Sequence, residues 1–198
     1  MKRFLDIAVS VLGLVLLLPV LIVISIIIKT MDSGPVFFVQ ERIGKNFKVF
    51  KMIKFRTMSP VSQKEGTVIT TADDLRVTKI GRFLRRTKLD EIPQLINVLK
   101  GDMSIVGPRP EVPKYVQMFK NDYGKILAVR PGLTDYAAIK FMNEEDILKE
   151  YDDNEAAYIK EILPVKILLY KRYVEESAFK TDLAIILGTL RQFIRRGN

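Results

Sequence analysis

Residues 7–28 read IAVSVLGLVLLLPVLIVISIII and contain no charged side chain. About 20 apolar residues in a helix match the hydrocarbon thickness of a bilayer, so this run predicts a membrane-embedded helix. The run is longer than the apolar core of a secretory signal peptide, and no small-residue cleavage site follows it before residues 29–32. We therefore expect the segment to remain in the protein. Asp6 lies at its apolar edge, where an ionisable side chain is unusual.

The flanks of this run leave its orientation open. Lys2 and Arg3 precede it and Lys29 follows it, so an excess of positive charge does not distinguish the two ends. Pro19, near the middle, removes one backbone hydrogen bond. A helix broken at residues 18–19 that returns to the face it entered would satisfy both flanks. An ordinary span with a tolerated proline kink is the alternative, and the residues alone do not separate the two.

The composition excludes several kinds of catalysis. The chain has 198 residues, 32 Lys and Arg against 23 Asp and Glu, a net charge of +9, and no His or Cys. It therefore cannot form a Ser-His or Cys-His nucleophile pair, a thiol redox centre or a zinc site of the usual ligands. Catalysis would have to use carboxylates, amines, hydroxyls or a hard cation. The positive charge favours anionic partners such as nucleic acid, lipid headgroups or phosphorylated small molecules.

The rest of the chain predicts an α+β, mostly helical fold. Residues 36–40 and 47–52 read as two strands of a small β-hairpin, and residues 59–71 as a mobile loop. Apolar spacing and helix end signals predict helices at 74–86, 90–101, 115–127, 144–163 and 182–196. The last of these is amphipathic and basic, which suits a membrane surface or a packed helix with a charged outer face. We expect a membrane-embedded segment at residues 1–30 and a separate domain at 31–198.

The acidic pair Asp90–Glu91 is the strongest candidate for chemistry. It lies at a predicted helix start, where the partial positive charge of the backbone favours carboxylates and phosphates. Adjacent acids at such a position are very often only caps. Here, however, cationic side chains lie before and after the pair in the sequence: Lys54, Arg56, Arg85, Arg86, Lys88 and Arg109. Carboxylates among cations suit phosphoryl transfer, in which Mg²⁺, Arg and Lys neutralise phosphate oxygens.

Three segments carry a family resemblance: KFRTM at 54–58, LDEIPQLINVLKGDMSIVGPRP at 89–110 and RPGLT at 130–134. They closely resemble the bacterial sugar transferases known as monotopic polyprenyl-phosphate phosphoglycosyl transferases. The resemblance extends over nearly the whole chain, including the apolar segment with Pro19. At 198 residues the chain resembles the minimal catalytic form of that family.

This resemblance implies a reaction and roles for individual residues. A UDP-sugar would give its phosphosugar to polyprenyl (undecaprenyl) phosphate through a covalent intermediate, yielding polyprenyl diphosphate sugar and UMP. Asp90 matches the family's nucleophile, and Glu91 matches the residue that holds Mg²⁺. The family's basic positions near the phosphates and the nucleotide fall on Lys54, Arg85, Arg109 and Arg130.

The resemblance also implies partners and a location. It implies a UDP-sugar, polyprenyl phosphate and a phospholipid membrane as partners but no nucleic acid, and it leaves room for a homodimer. It also favours a re-entrant helix for residues 1–30 and a cytoplasm-facing catalytic domain, with its C-terminal amphipathic helix, for residues 31–198. The expected location is the cytoplasmic face of the bacterial inner membrane. Two departures from the family pattern are Leu18, where many relatives have Ser, and Asp135–Tyr136, where many continue with Gly. The sugar is not identified, and the second departure is expected to affect its choice if that loop contacts it.

Two other functions compete with this interpretation. A non-enzymatic, membrane-anchored module with a basic surface would explain the charge and the apolar segment, but not an Asp-Glu pair between cationic segments. A metal-dependent glycosyltransferase would move the sugar without its phosphate. Release of UMP, of UDP or of neither nucleotide separates the three hypotheses.

Overall fold

The computed structural model describes residues 2–31, 34–59 and 69–197. Helices dominate the described residues, so the predicted α+β, mostly helical class is confirmed. Residues 60–68 of the predicted loop lie outside the described part. In chain order the elements are α1 (Lys2–Met31), β1 (Phe37–Ile43), β2 (Val49–Phe55), α2 (Lys79–Thr87), α3 (Gln94–Lys100), β3 (Ser104–Val106), α4 (Pro113–Met118), α5 (Lys120–Ile126), β4 (Gly132–Thr134), α6 (Tyr136–Lys140), α7 (Glu144–Leu148), α8 (Asn154–Ala157), α9 (Leu163–Glu176) and α10 (Phe179–Gly197).

The apolar run forms the long helix α1, which by length and composition could cross a membrane. The helix continues through Pro19, so the break predicted there is not an interruption of helical structure; a proline removes one hydrogen bond without necessarily ending a long helix. Four of its residues are buried on one side: Asp6 and Ser10 near its start, and Ile24 and Ile28 near its end. One stripe therefore packs on the rest of the protein near both ends of the helix, while the other faces expose apolar side chains.

The predicted β-hairpin is confirmed and extends further than expected. Strands β1 and β2 pair antiparallel from Phe37 opposite Phe55 to Ile43 opposite Val49. At its base, Phe55 packs in one apolar cluster with Ile28 near the end of α1. This packing fixes the last residues of β2, which include Lys54.

Several helix predictions need correction. Helix α2 begins at Lys79 rather than Asp74, because the Thr78 side chain accepts a hydrogen bond from the backbone of Gly81 and caps the helix there. Asp74 instead accepts hydrogen bonds from Arg76. The segment predicted as one helix over 115–127 is divided at Phe119 into α4 and α5.

The helix predicted over 144–163 is also divided. It consists of α7, α8 and a π-helical turn at Tyr158–Ile162, which leads into α9 with Pro164 in its first turn. Pro164 has no backbone N–H, and a wider turn before it accommodates this loss. The chain therefore continues as a helix past the predicted end.

A short parallel pair, β3 with β4, was not predicted from the sequence. Ser104 lies opposite Gly132 and Val106 opposite Thr134. The backbones of Gly107 and Gly132 approach so closely that a Cβ at Gly132 would lie 2.1 Å from the Gly107 nitrogen. This pairing directs the chain after β3, which includes Arg109, toward the centre of the protein.

The predicted C-terminal amphipathic helix is confirmed as α10 and begins three residues earlier than expected. Ile185 is buried against Val106 and Tyr173. Exposed apolar side chains recur along another side of the helix at Phe179, Leu183, Leu187, Leu190 and Ile194. This pattern suits a helix with one side packed on protein and another available to lipid.

Candidate active site

The acidic pair occupies a tight connection between α2 and α3. Lys88 ends α2 in the left-handed conformation with φ of 57°, and a single 3-10 turn, Leu89–Glu91, follows. Pro93 precedes α3, and Gly101 with φ of 90° ends it, as the sequence predicted. The helix itself starts slightly later than predicted, so the acids lie on the turn before it.

Glu91 is bonded to two cations from separate parts of the fold. The Arg109 guanidinium donates to both carboxylate oxygens, with Nη1 3.1 Å from Oε2, and Lys54 Nζ lies 3.0 Å from Oε1. We call these three residues the Glu91 cluster. Burial alone would raise the pKa of the Glu91 carboxyl, but the charges of Arg109 and Lys54 hold that pKa well below its usual range. Glu91 is therefore ionised in the folded protein at neutral pH.

The two cations respond to the same surroundings in opposite ways. The charge of Glu91 raises the pKa of Arg109. Burial lowers the pKa of Lys54 although Glu91 opposes that shift. The cluster thus combines a permanent cation with an amine whose charge is less strongly held.

Asp90 is buried beside this cluster. It is 6% exposed, and its Oδ1 atom has no hydrogen-bond partner among the described residues. Burial raises its pKa from 3.8 to about 6, while the positive charge of Lys54 opposes the rise. At neutral pH the carboxylate is mainly ionised but poorly solvated, which suits a nucleophile.

Asp135 holds Arg109 through the backbone. Its Oδ2 accepts a hydrogen bond from the Arg109 nitrogen at 2.8 Å, and its Oδ1 accepts one from the Ala138 nitrogen at 2.6 Å. The residue is 1% exposed. In the sequence Asp135 was noted only as a departure from the family pattern. An Asp directly before a helix is also a typical N-cap residue, and this could have indicated its role at the start of α6. The carboxylate joins the Arg109 loop to the start of α6.

The remaining predicted basic residues lie outside the Glu91 cluster. Arg85 donates to Thr57 Oγ1 at 2.9 Å and to Glu145 Oε1 at 3.0 Å, and its charge still lowers the pKa of Asp90. Arg130 is exposed and donates to the Gly101 carbonyl at 2.8 Å, at the opposite end of α3 from the acids. The structure therefore brings Asp90 together with the Glu91 cluster, keeps Arg85 at its edge and leaves Arg130 apart.

A second buried polar network was missed by the sequence analysis. Tyr158 donates to Glu111 at 2.6 Å, and Glu111 lies 3.6 Å from the Arg42 guanidinium. Lys166 approaches the Tyr158 hydroxyl at 3.4 Å and pairs with Glu144. Burial lowers the pKa of Arg42, although Glu111 opposes this shift. These residues come from elements far apart in the chain, so no local motif joins them.

The acids fit a magnesium ion only if the substrate contributes ligands. Within residues 2–31, 34–59 and 69–197 there is no group of three acidic side chains that could hold a metal ion. Mg²⁺ commonly takes one or two carboxylates together with water and substrate phosphates. Glu91 can supply the carboxylate of such a set if it gives up one of its two cation contacts, which leaves the unpartnered Asp90 oxygen available to a substrate.

Comparison with known proteins identifies related sequences. A profile of the family described as "Bacterial sugar transferase" matches residues 1–196. The chain is 49% identical over 121 residues, which are 61% of this chain and 68% of the other, to a Bacillus subtilis protein named as a candidate undecaprenyl-phosphate N-acetylgalactosaminyl 1-phosphate transferase. It is 39% identical over 98% of its length to the Aeromonas hydrophila "UDP-N-acetylgalactosamine-undecaprenyl-phosphate N-acetylgalactosaminephosphotransferase". It is 37% identical over 90% of its length to the Klebsiella pneumoniae "UDP-glucose:undecaprenyl-phosphate glucose-1-phosphate transferase". The matches cover 43% and 41% of those two longer relatives.

Proposed function

Since the chain belongs to the bacterial sugar transferase family, we propose that it is an enzyme that transfers a sugar 1-phosphate from a UDP-sugar to undecaprenyl phosphate and releases UMP. The activities for which the Klebsiella and Aeromonas relatives are named support this pair of substrates. The observation that carries the proposal is the buried, partly unpartnered Asp90 carboxylate beside the Glu91 cluster. Phosphoryl transfer needs a nucleophile and fixed cations in one place.

In the first half-reaction an Asp90 oxygen attacks the phosphorus that is bonded to the sugar. A bond forms between that oxygen and phosphorus, and the bond to the bridging diphosphate oxygen breaks. The electron pair of the broken bond leaves with UMP, and an aspartyl phosphosugar remains on the enzyme. The raised pKa of Asp90, about 6, leaves it ionised at neutral pH, so no general base is required.

In the second half-reaction an anionic oxygen of undecaprenyl phosphate attacks the same phosphorus. The bond from phosphorus to Asp90 breaks, and the electron pair returns to the carboxylate. The product is undecaprenyl diphosphate sugar, and the enzyme returns to its starting state. Both attacking groups are already anions, which is consistent with a chain that contains no His.

The Glu91 cluster would bind the diphosphate. Arg109 can contact two phosphate oxygens at once, whereas Lys54 provides a more adaptable point charge. A magnesium ion, when bound, would be held by Glu91 and substrate oxygens and would neutralise phosphate charge. Loss of UMP release in EDTA, reversed by added Mg²⁺, is the result expected from this assignment.

We propose that the reaction takes place at the cytoplasmic face of the bacterial inner membrane. The exposed apolar faces of α1 and α10 support membrane association, and the contacts that both ends of α1 make with the same domain support a re-entrant arrangement. In such an arrangement Lys2 and the active site share one side of the membrane.

Product analysis tests the function. The purified protein in nanodiscs containing undecaprenyl phosphate is incubated with a panel of UDP-sugars, and nucleotide products are separated by chromatography. UMP release with formation of a lipid diphosphate sugar is expected for at least one UDP-sugar. Release of UDP would indicate a glycosyltransferase, and release of neither would favour a non-enzymatic membrane module.

A further inference from the structure

The first two turns of α1 carry three charged residues, Lys2, Arg3 and Asp6, that all bond to the folded domain. Asp6 is 5% exposed despite its position at the edge of the apolar run. Its two carboxylate oxygens accept from the Ser104 hydroxyl at 2.9 Å, and Oδ1 also accepts from the Ile105 nitrogen at 3.0 Å. These hydrogen bonds offset the cost of burying the charge.

The two basic residues bond on either side of this contact. Arg3 donates to the Val98 and Leu99 carbonyls at 2.5 and 2.9 Å, in the last turn of α3. Carbonyls in the last turn of a helix lack a full set of donors. The Val98 carbonyl accepts from the Gly101 nitrogen, and Arg3 adds a second donor there and complements the helix dipole. Lys2 donates to the Val106 carbonyl at 3.0 Å, at the end of β3.

Most of the hydrogen bonds between the charged end of α1 and the domain go to one connecting segment beside the candidate active site, although Lys2 also bonds to Tyr173 and Asp182. Residues 98–106 run from the end of α3 to the end of β3. Glu91 lies just before α3, and Arg109 lies just after β3. The charged end of α1 therefore holds the two elements that bring Glu91 and Arg109 together.

We propose that Asp6 is a positioning residue for the active site, which through Ser104 and Ile105 fixes strand β3 and so the alignment of Arg109 with Glu91. The effect on catalysis rests on the proposed function. The same contacts then determine both how α1 packs on the domain and the geometry of the Glu91 cluster. Asp6 acts through Arg109 and touches no substrate.

Kinetics on the full chain in nanodiscs test the role. Asp6→Leu removes the acceptor, and Asp6→Asn keeps an amide oxygen that can accept. Ser25→Ala is the control, because among the described residues the Ser25 hydroxyl bonds only to the Leu21 carbonyl within α1. We expect Asp6→Leu to lower kcat for UMP release about 100-fold, as a misplaced catalytic group can do. Asp6→Asn should retain most of the rate, and Ser25→Ala should equal the wild type. Equal kcat for Asp6→Leu and wild type would overturn the proposal.

A double-mutant cycle separates positioning from general destabilisation. If Asp6 acts through Arg109, adding Asp6→Leu to Arg109→Lys should slow the single variant by less than about threefold. A double variant whose loss of kcat equals the product of the two single losses would contradict the proposal.

Amide hydrogen exchange gives a readout that needs no activity. Asp6→Leu and Ser104→Ala should accelerate exchange over residues 104–109, while α9 remains as protected as in the wild type. Unchanged exchange over 104–109 in a folded Asp6→Leu protein would refute the positioning role. A wild type that releases no UMP would instead refute the proposed function, and the exchange experiment would still decide whether Asp6 holds this segment.

Discussion

Arg109 donates hydrogen bonds to both carboxylate oxygens of Glu91 from a position 18 residues further along the chain. The pair joins the turn before α3 to the loop after β3, and it places a rigid, planar cation next to the buried Asp90. An Arg in this arrangement can exchange one carboxylate oxygen for a phosphate oxygen without moving far. The pair therefore provides a structural link and, under the proposed function, a site for phosphate.

Replacing Arg109 with Lys should be costly although it keeps the charge. Lys cannot make two parallel hydrogen bonds, so kcat/KM for the UDP-sugar should fall about 10- to 100-fold. Steady-state UMP release measures the change. Arg172→Lys is the matched control, because Arg172 is exposed, pairs with Glu176 one helical turn away and lies over the Tyr136 ring, and it makes no contact with the Glu91 cluster among the described residues. Similar kinetics for Arg109→Lys and this control would exclude a two-point contact.

The rate of UMP release should depend on the ionisation of Asp90. Its pKa of about 6 predicts that the first half-reaction slows as pH falls through 6, about tenfold for each further pH unit. Glu91 does not titrate in this range because its pKa is held low. Rapid-quench measurements without lipid acceptor, between about pH 5 and pH 8, isolate this step. A rate that does not change across this range would contradict a nucleophile with this pKa.

Asp90→Asn should inactivate the protein and also stabilise it. Between pH 4 and 6 the folded state binds more protons at Asp90 than the unfolded state does, so the ionised group lowers stability as pH rises through this window. Above pH 6 removal of the charge should increase the free energy of unfolding by up to about 3 kcal/mol. Thermal unfolding of both proteins at pH 4 and pH 7 measures this, with the larger gain expected at pH 7. A lower melting temperature for Asp90→Asn at pH 7 would show that the charge is well stabilised.

Asp135 should matter because it holds the Arg109 backbone. Asp135→Ala removes both hydrogen bonds, so kcat for UMP release should fall about tenfold as the Arg109 loop loses its position. Asp153→Ala is the control, since Asp153 caps α8 through the Ala156 nitrogen in the same way but is exposed. If the two variants lose similar stability and the same activity, Asp135 is only a helix cap.

The sequence predicted the parts of this site that depend on local motifs. The hairpin that carries Lys54, the turn with Asp90 and Glu91, and the loop with Arg109 could each be recognised from a few adjacent residues. Sequence could not show that Asp135 binds the Arg109 backbone, because that contact depends on the parallel pairing of β3 with β4. Each of these strands is only three residues long, too short to give a periodic pattern.

The distinction between local patterns and long-range contacts also explains which other features the sequence predicted. The amphipathic pattern of α10 was sufficient to predict that helix, because one side of it is packed and another exposed. The buried pairing of Glu111 with Tyr158 depends on a contact between residues 47 positions apart in the chain. Asp6 was noticeable as a charge at the edge of an apolar run, but its partner Ser104 is 98 residues away.

In the proposed reaction Asp90 forms a covalent bond to the phosphosugar. The wild type, incubated with its UDP-sugar but no lipid acceptor and digested at low temperature, should yield an Asp90 peptide heavier by the mass of the phosphosugar. One UMP should be released per adduct, and adding undecaprenyl phosphate should remove the adduct. Asp90→Asn should give neither adduct nor UMP. UMP release by the wild type only when lipid acceptor is present, with an unmodified Asp90 peptide throughout, would contradict the account and indicate direct transfer between the two substrates.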